Sequence, residues 1–305
     1  MAIDPPLYTE EELRVFNAKS RELFIESRMA EDPEGFRVHF RRNRALAEGF
    51  FLKTDSLRSI DASLLSESED MQDVSRYLCG PPISQDDLST LINRPPNKKT
   101  LNDEQAVRAL DVFKIAFNKE LCPWLSEDRK PTKEERSAAI ASAATLKTVE
   151  QFRTERRNQA SGEQEAEVQT NLEEAGLVKI EVKGSRLMDP AELPPGSFAR
   201  ETYIANKKCD IPVRLWDGSL LVLECKVSNS ERNGWKRLKA EVVSKKFEWT
   251  EWGARFDVRT ITGAVVSGMF DLSCLTYSHH VMGVALFWQH ELGRLQEFVK
   301  AGKRN

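Results

Sequence analysis

Cysteine is scarce and unpatterned in this chain. Its five cysteines (Cys79, Cys122, Cys209, Cys225, Cys274) are an odd number with no CxxC and no Cys/His ligand spacing. That argues against a disulfide framework and a structural zinc site, and fits a reducing, cytoplasmic location. Histidine is equally sparse, and His279, His280 and His290 have no ligand spacing with one another or with Cys274, so a structural role is expected for them. No apolar run approaches the ~20 residues needed to span a bilayer. The opening MAIDPPLYTEEEL lacks the basic and apolar regions of a signal peptide. Neither a Gly-rich phosphate loop nor a GxSxG elbow occurs, so nucleotide-cradling and serine-hydrolase schemes find no residues. Internal repeats and low-complexity tracts are absent too.

What is present is ordinary in bulk. A chain of 305 residues, 40% hydrophobic and 30% charged, has room for one large or two ordinary globular domains. The net charge of -3 does not advertise a nucleic-acid binder, but it is unevenly spread. Residues 1–150 carry 22 basic and 27 acidic side chains, residues 151–305 carry 23 and 21, and residues 200–246 alone carry 11 and 6. Positive charge therefore gathers in one stretch, as it would facing an anion.

The first half reads as helices. Thr9 and Glu12 form a capping box ahead of Leu13, Phe16 and Leu23, and Asp32-Pro33 starts a second helix with Phe36, Phe40 and Phe50. Its Arg37, Arg41, Arg42 and Arg44 are read as a solvated face in preference to a phosphate-contacting one. Gly80-Pro81-Pro82 and Arg94-Pro95-Pro96 break the pattern around a short helix capped by Ser84. A stronger helix follows Asn102, and Thr132 with Glu135 opens an Ala-rich one that reaches the basic run Arg153, Arg156, Arg157. No strand is predicted before residue 150, so residues 1–150 form an expected all-helical unit, and 151–305 a second domain.

After residue 160 the period changes. QEAEVQTNLEEAGL predicts a helix with Val168 and Leu172 inward and Glu165 on the same face, ended by Gly176. Strands are predicted at 178–182, 198–204, 209–215 and 220–227, then a helix over 235–252, a strand within 257–266, an apolar run over 282–288 and a C-terminal helix. The order implies an α+β fold, helices flanking a mixed sheet.

Two apolar runs meeting at Asp217-Gly218 carry Asp210, Glu224 and Lys226. A charge in such a run costs several kcal/mol unless paired or bound to a metal. Glu224 and Lys226 are two apart on a strand and share a face. Asp210, Glu224 and the backbone carbonyl of Cys225 together make a hard oxygen site suited to Mg²⁺, with Lys226 placed to orient or help deprotonate an attacking water. Such a site suits phosphodiester hydrolysis, with Glu165 as an additional ligand, direct or through water. The bland alternative is a salt-bridge cluster at a sheet edge.

The register decides between them. A two-residue hairpin at Asp217-Gly218 would set Asp210 opposite Cys225, away from Glu224 and Lys226. A three-residue loop with a glycine bulge would set it opposite Lys226, on the shared face. An irregularity is therefore predicted between Ile211 and Ser219, and Pro212, which cannot donate to a ladder, supports one nearby.

With Cys209-Asp210 in place of Pro-Asp and Glu224-Cys225-Lys226 as the second half, the stretch resembles the PD-(D/E)xK nuclease signature. NSERNGWKRL after ECKVS, and LFWQHELGRL near the C-terminus, are similar to type II restriction endonucleases of the XamI family. The resemblance is specific over about 160–300. It implies a restriction-endonuclease-like core and Mg²⁺-dependent cleavage of double-stranded DNA at a short palindrome, GTCGAC for the family's namesake, beside a cognate methyltransferase. Asp210 and Glu224 would be metal ligands and Lys226 the catalytic lysine.

Beyond the motif, Asn229, Arg232, Asn233, Lys236 and Arg237 surround a predicted helix start, a natural place for DNA phosphate. Reading a palindrome and cutting both strands calls for two-fold symmetry, hence an expected homodimer. The helical unit would then serve base recognition or dimerisation. A repair or structure-specific nuclease on the same core, or a non-catalytic DNA-binding protein keeping the fold, are the competing readings.

Overall fold

The computed structural model describes residues 4–95, 98, 100–301 and 303. Of the sequence features above, the first three residues of the MAIDPPLYTEEEL opening and Pro96 of the Arg94-Pro95-Pro96 breaker lie outside them. The chain forms two compact units, one from Asp32–Arg156 and the other from the residues up to Glu31 together with those from Arg157 on.

The Asp32–Arg156 unit is helical: α2 (Glu34–Lys53), α3 (Ala62–Glu67), α4 (Glu69–Tyr77), α5 (Gln85–Leu91), α6 (Asp103–Ala116) and the first part of α7 (Lys133–Glu174). Its core gathers Phe50, Phe51, Leu65, Leu78, Phe113, Trp124 and Ile140. Local capping signals act as chemistry demands. Ser84 accepts from the Asp87 amide at 3.0 Å, Asn102 and Gln105 form a reciprocal box, and Thr132 and Glu135 exchange bonds of 3.2 and 2.7 Å. Arg37 and Arg41 pair with Glu34, and Arg44 with Glu48, as on a solvated face.

The contiguous division near residue 150 needs correcting at its start. Helix α1 (Glu10–Met29) belongs to the unit that holds the sheet. Ser20 exchanges hydrogen bonds with Gly268 (3.1 and 2.9 Å), and Asn17 donates to the Phe270 carbonyl at 2.9 Å. Helix α7 is also one 42-residue helix where two were expected. Only Gly162 disfavours helix between the two predicted segments, at a cost of about 1 kcal/mol, too little to end it.

Strands β1 (Val178–Ile180), β3 (Ser197–Ala199), β6 (Ile211–Arg214), β7 (Leu220–Asn229), β8 (Thr260–Met269) and β9 (Ala285–Trp288) form a mixed sheet in that order, antiparallel at β3/β6 and β6/β7 and parallel elsewhere. A second sheet joins β2 (Arg186–Leu187), β4 (Thr202–Ile204) and β5 (Lys207–Cys209). The predicted strands at 198–204 and 209–215 are thus each split between the two sheets. The second split falls at Asp210, which sits at the corner.

Alternation along β7 defines both faces of the sheet. Leu221, Leu223 and Cys225 pack with Val168 and Leu172 of α7 and with α11 (Gly293–Lys300). Leu220 and Val222 face the opposite way, against Trp249 and Trp252 of α9 (Ser244–Ala254). Between β7 and α9 run α8 (Glu231–Trp235) and a π-helical stretch, Lys236–Val243. Helix α10 (Leu272–Thr276) follows β8. Tyr8 and Leu13 close a further core over Ala264, Val266, Leu286 and Trp288.

Candidate active site

The loop that sets the register has three residues. The Leu215 amide donates to the Ser219 carbonyl at 2.9 Å and the Gly218 amide to the Leu215 carbonyl at 2.9 Å, enclosing Trp216, Asp217 and Gly218. Gly218 takes a φ of 86°, as a type I turn with a glycine bulge requires. The predicted irregularity is present, although its register differs by one pair. Ile211 lies opposite Leu223, so the corner residue Asp210 comes level with Glu224, not Lys226. All three still share a side. Pro212 pairs regularly with Val222 and marks no bulge. Its missing N–H points toward β3, where pairing has already ended at Phe198–Val213.

At the corner, the Asp210 side chain takes over the role of the strand that has left. The Cys225 amide donates to Asp210 Oδ2 at 2.8 Å, in place of a ladder partner. Lys226 Nζ reaches the same Oδ2 at 2.9 Å and Glu224 Oε2 at 2.7 Å. Glu224 is fully buried, and Lys226 nearly so. Burial raises the Glu224 carboxyl above the usual range, and neighbouring Asp210 adds to that against the pull of Lys226 and Lys245. Burial alone would depress Lys226, yet the Glu224 and Asp210 carboxylates outweigh it and hold the ammonium above the ordinary lysine range. Glu165, half-buried on α7, is raised by burial and then by Asp210, and accepts from Ser161 at 3.4 Å. Asp210 lies near enough for the two carboxylates to repel. The Cys225 thiol, pushed far up by burial, is inert.

A family profile for the XamI restriction endonuclease matches residues 55–288. The type II restriction enzyme XamI of Xanthomonas campestris pv. amaranthicola is 30% identical over 263 residues, covering 82% of this chain and 93% of that enzyme. The chain belongs to the XamI restriction endonuclease family. It is therefore a site-specific deoxyribonuclease, with DNA as its substrate. The solved structure of protein VC1899 from Vibrio cholerae aligns with 90% of this chain and 59% of its own at a TM-score of 0.30 and 13% identity.

For a XamI-family enzyme the oxygen donors at the corner are the natural place to test for a metal. Among the described residues no group of three or more His, Cys, Asp or Glu converges as a ligand cluster. Two carboxylates do converge, both within hydrogen-bond reach of Lys226 Nζ. Since a strand residue sends its N–H and C=O to the same side, the Cys225 carbonyl faces the edge that β6 has vacated. Two carboxylates and one carbonyl fit Mg²⁺, which keeps several waters and takes substrate phosphate, better than they fit a closed structural cage.

Of the five residues expected at the DNA, Asn229 ends β7 and the other four follow it. Ser230 caps the helix start, its hydroxyl accepting from the Asn233 backbone amide at 3.3 Å, and the Asn233 side chain donates to Asn229 Oδ1 at 2.9 Å. Asn229, Arg232, Asn233 and Lys236 are exposed, while Arg237 is half-buried. The helix starts at Glu231, earlier than predicted, and α8 has five residues before the π-helical stretch that carries Lys236 and Arg237.

Two residues escaped the sequence reading. Lys245 on α9 holds both oxygens of Glu224 at 3.0 Å. Its signal was available: Leu238, Val242, Lys245 and Trp249 recur at helical spacing, which puts a lysine in an apolar stripe. Gln164, fully buried beside Glu165, donates to the Val265 carbonyl of β8 at 3.3 Å.

Proposed function

We propose that this restriction endonuclease hydrolyses phosphodiester bonds of double-stranded DNA with Mg²⁺, at a short palindrome, GTCGAC being the sequence to test first. The observation that carries the reading is the convergence of Asp210 and Glu224 on Lys226 where β6 ends and β7 continues. Asp210, Glu224 and the Cys225 carbonyl would hold the cation, with Glu165 joining directly or through water. A cation held by these residues would supply Lewis-acid chemistry, polarising a phosphoryl oxygen and offsetting the charge that builds on phosphate. Lys226, an ammonium donating to both carboxylates, orients the attacking water and faces the developing negative charge.

Asn229, Arg232, Asn233, Lys236 and Arg237 extend the same strand end toward the DNA backbone, and exposed basic groups there support phosphate contact. A homodimer matches the symmetry of a palindrome, with the sheet-bearing unit, which includes α1, catalytic and the helical Asp32–Arg156 unit serving recognition or dimerisation. A cytoplasmic enzyme paired functionally with a methyltransferase completes this reading. Among the described residues no helix is long and apolar enough to cross a membrane.

The test is plasmid cleavage in Mg²⁺ and in chelator, beside Lys226→Ala, with sequencing of the ends. Discrete fragments with one end sequence, lost in chelator and in the variant, are expected. Random nicking would instead indicate a structure-specific or repair nuclease. Binding without metal-dependent cutting would indicate a non-catalytic DNA-binding protein.

A further inference from the structure

The Glu224 carboxylate carries more positive charge than a lone motif lysine would supply. Lys226 approaches one oxygen at 2.7 Å, while Lys245 Nζ lies 3.0 Å from each of the two. The third hydrogen of Lys245 goes to the Lys208 carbonyl at 2.8 Å, and its Nζ stands 5.4 Å from the Trp249 ring centroid. All donors of that ammonium are thereby directed, and its stem is packed. Both Glu224 oxygens are thus filled by ammonium groups. A divalent cation binding that carboxylate would need an oxygen now occupied, so one ammonium has to withdraw. Lys226 is held between two carboxylates and its side chain is 9% exposed, whereas that of Lys245 is 20% exposed and sits on the helix covering the sheet. Lys245 is the one free to leave.

We infer that Lys245 is a built-in counter-ion, holding the Glu224 carboxylate in the metal-free protein and exchanged for the divalent cation when the site loads. This rests on the metal reading proposed above. The device would keep both oxygens of a fully buried carboxylate partnered between turnovers, where Lys226 alone reaches only one. It would also weaken metal binding, because loading must break two charge-assisted hydrogen bonds.

The experiment is calorimetric titration of Mn²⁺ into the DNA-free full-length protein, with thermal melts in the absence and presence of Mn²⁺. Four proteins are compared: the natural chain, Lys245→Met, Lys245→Gln and Glu224→Gln. Methionine keeps an apolar stem over Trp249 and removes the charge. Glutamine retains one donor and serves should the methionine variant not fold. The expected result is Mn²⁺ binding that Glu224→Gln abolishes and that Lys245→Met tightens about tenfold, the order expected for losing charged hydrogen bonds. The metal-free Tm should fall in Lys245→Met while the Mn²⁺-induced rise in Tm grows. If binding depends on Glu224 but both Lys245 variants bind equally or more weakly, Lys245 positions the ligand instead and the inference is overturned with the metal reading intact. If the natural chain binds Mn²⁺ no better than Glu224→Gln, the metal reading fails, and the inference with it.

Discussion

The Cys225 amide donates to the Asp210 carboxylate at 2.8 Å, so a side chain from the departing strand satisfies a backbone group that the ladder no longer reaches. That single bond ties the chemistry of the corner to its folding. Asp210→Asn keeps an acceptor oxygen of the same size and loses only the charge; Asp210→Ala also strands a buried N–H, worth about 1–3 kcal/mol. Urea denaturation should show Ala destabilised by that order and Asn by less, while DNA cleavage falls more than about 100-fold in both. Equal stability of the two variants would mean that the amide bond contributes nothing.

Lys226 joins two carboxylates, one of them fully buried. Lys226→Met leaves Glu224 with Lys245 alone and Asp210 with no ammonium, and breaking a buried pair in this way costs about 3 kcal/mol or more. Removing both charges in Glu224→Gln/Lys226→Met should recover much of that stability without restoring cleavage. A double-mutant cycle on chemical denaturation measures the coupling. Additive losses would show that the pair does not interact in the folded protein.

The loop before β7 makes a more local prediction. Gly218 adopts a φ of 86°, and a Cβ there would meet nothing closer than Arg214 Nη2 at 3.9 Å. The cost of Gly218→Ala is therefore conformational, about 1 kcal/mol, and Gly218→Asn should lose less because asparagine tolerates the left-handed region. Because strand side chains alternate, a one-residue slip of β6 would carry Asp210 to the wrong face. Alanine and asparagine variants with the same denaturation midpoint would contradict this account of the loop.

Much of this site was legible because strand periodicity is strict. Glu224 and Lys226, two apart in an apolar run, had to share a face, and the Asp217-Gly218 pair offered a short menu of turns. The pairing of Asp210 with Glu224 was less accessible, since it depends on where Leu215 and Ser219 close the loop. Sequence also could not show that Asp210 sits between two sheets, as one apolar run from Cys209 to Leu215 reads as one strand. Helix α1 was placed with the wrong unit because amphipathic spacing identifies an apolar face and not its partner; Ser20 and Asn17, which dock it on Gly268 and Phe270, are unremarkable polar residues in sequence. Lys245 shares the helical phase of Val242 and Trp249, but phase alone does not say that a lysine there meets a buried carboxylate on a neighbouring strand.

Glu165 offers a test that separates stability from chemistry. Its folded carboxyl is raised by burial and by Asp210, so the folded protein holds that proton more tightly than the unfolded chain does. The sign follows: the group favours the fold below the ordinary glutamate range, and this contribution is lost as pH rises through the folded value. Glu165→Gln lacks the titration. Its Tm should match the natural chain below the ordinary glutamate range and exceed it slightly at neutral pH, the gain kept small by partial exposure to solvent. Should Glu165 also serve the metal, the same variant will cleave DNA more slowly while being the more stable protein, a combination that marks a residue retained for function. Melts across pH 4 to 8, run beside plasmid cleavage, read both quantities; a variant less stable at neutral pH would show that Glu165 supports the fold through its negative charge.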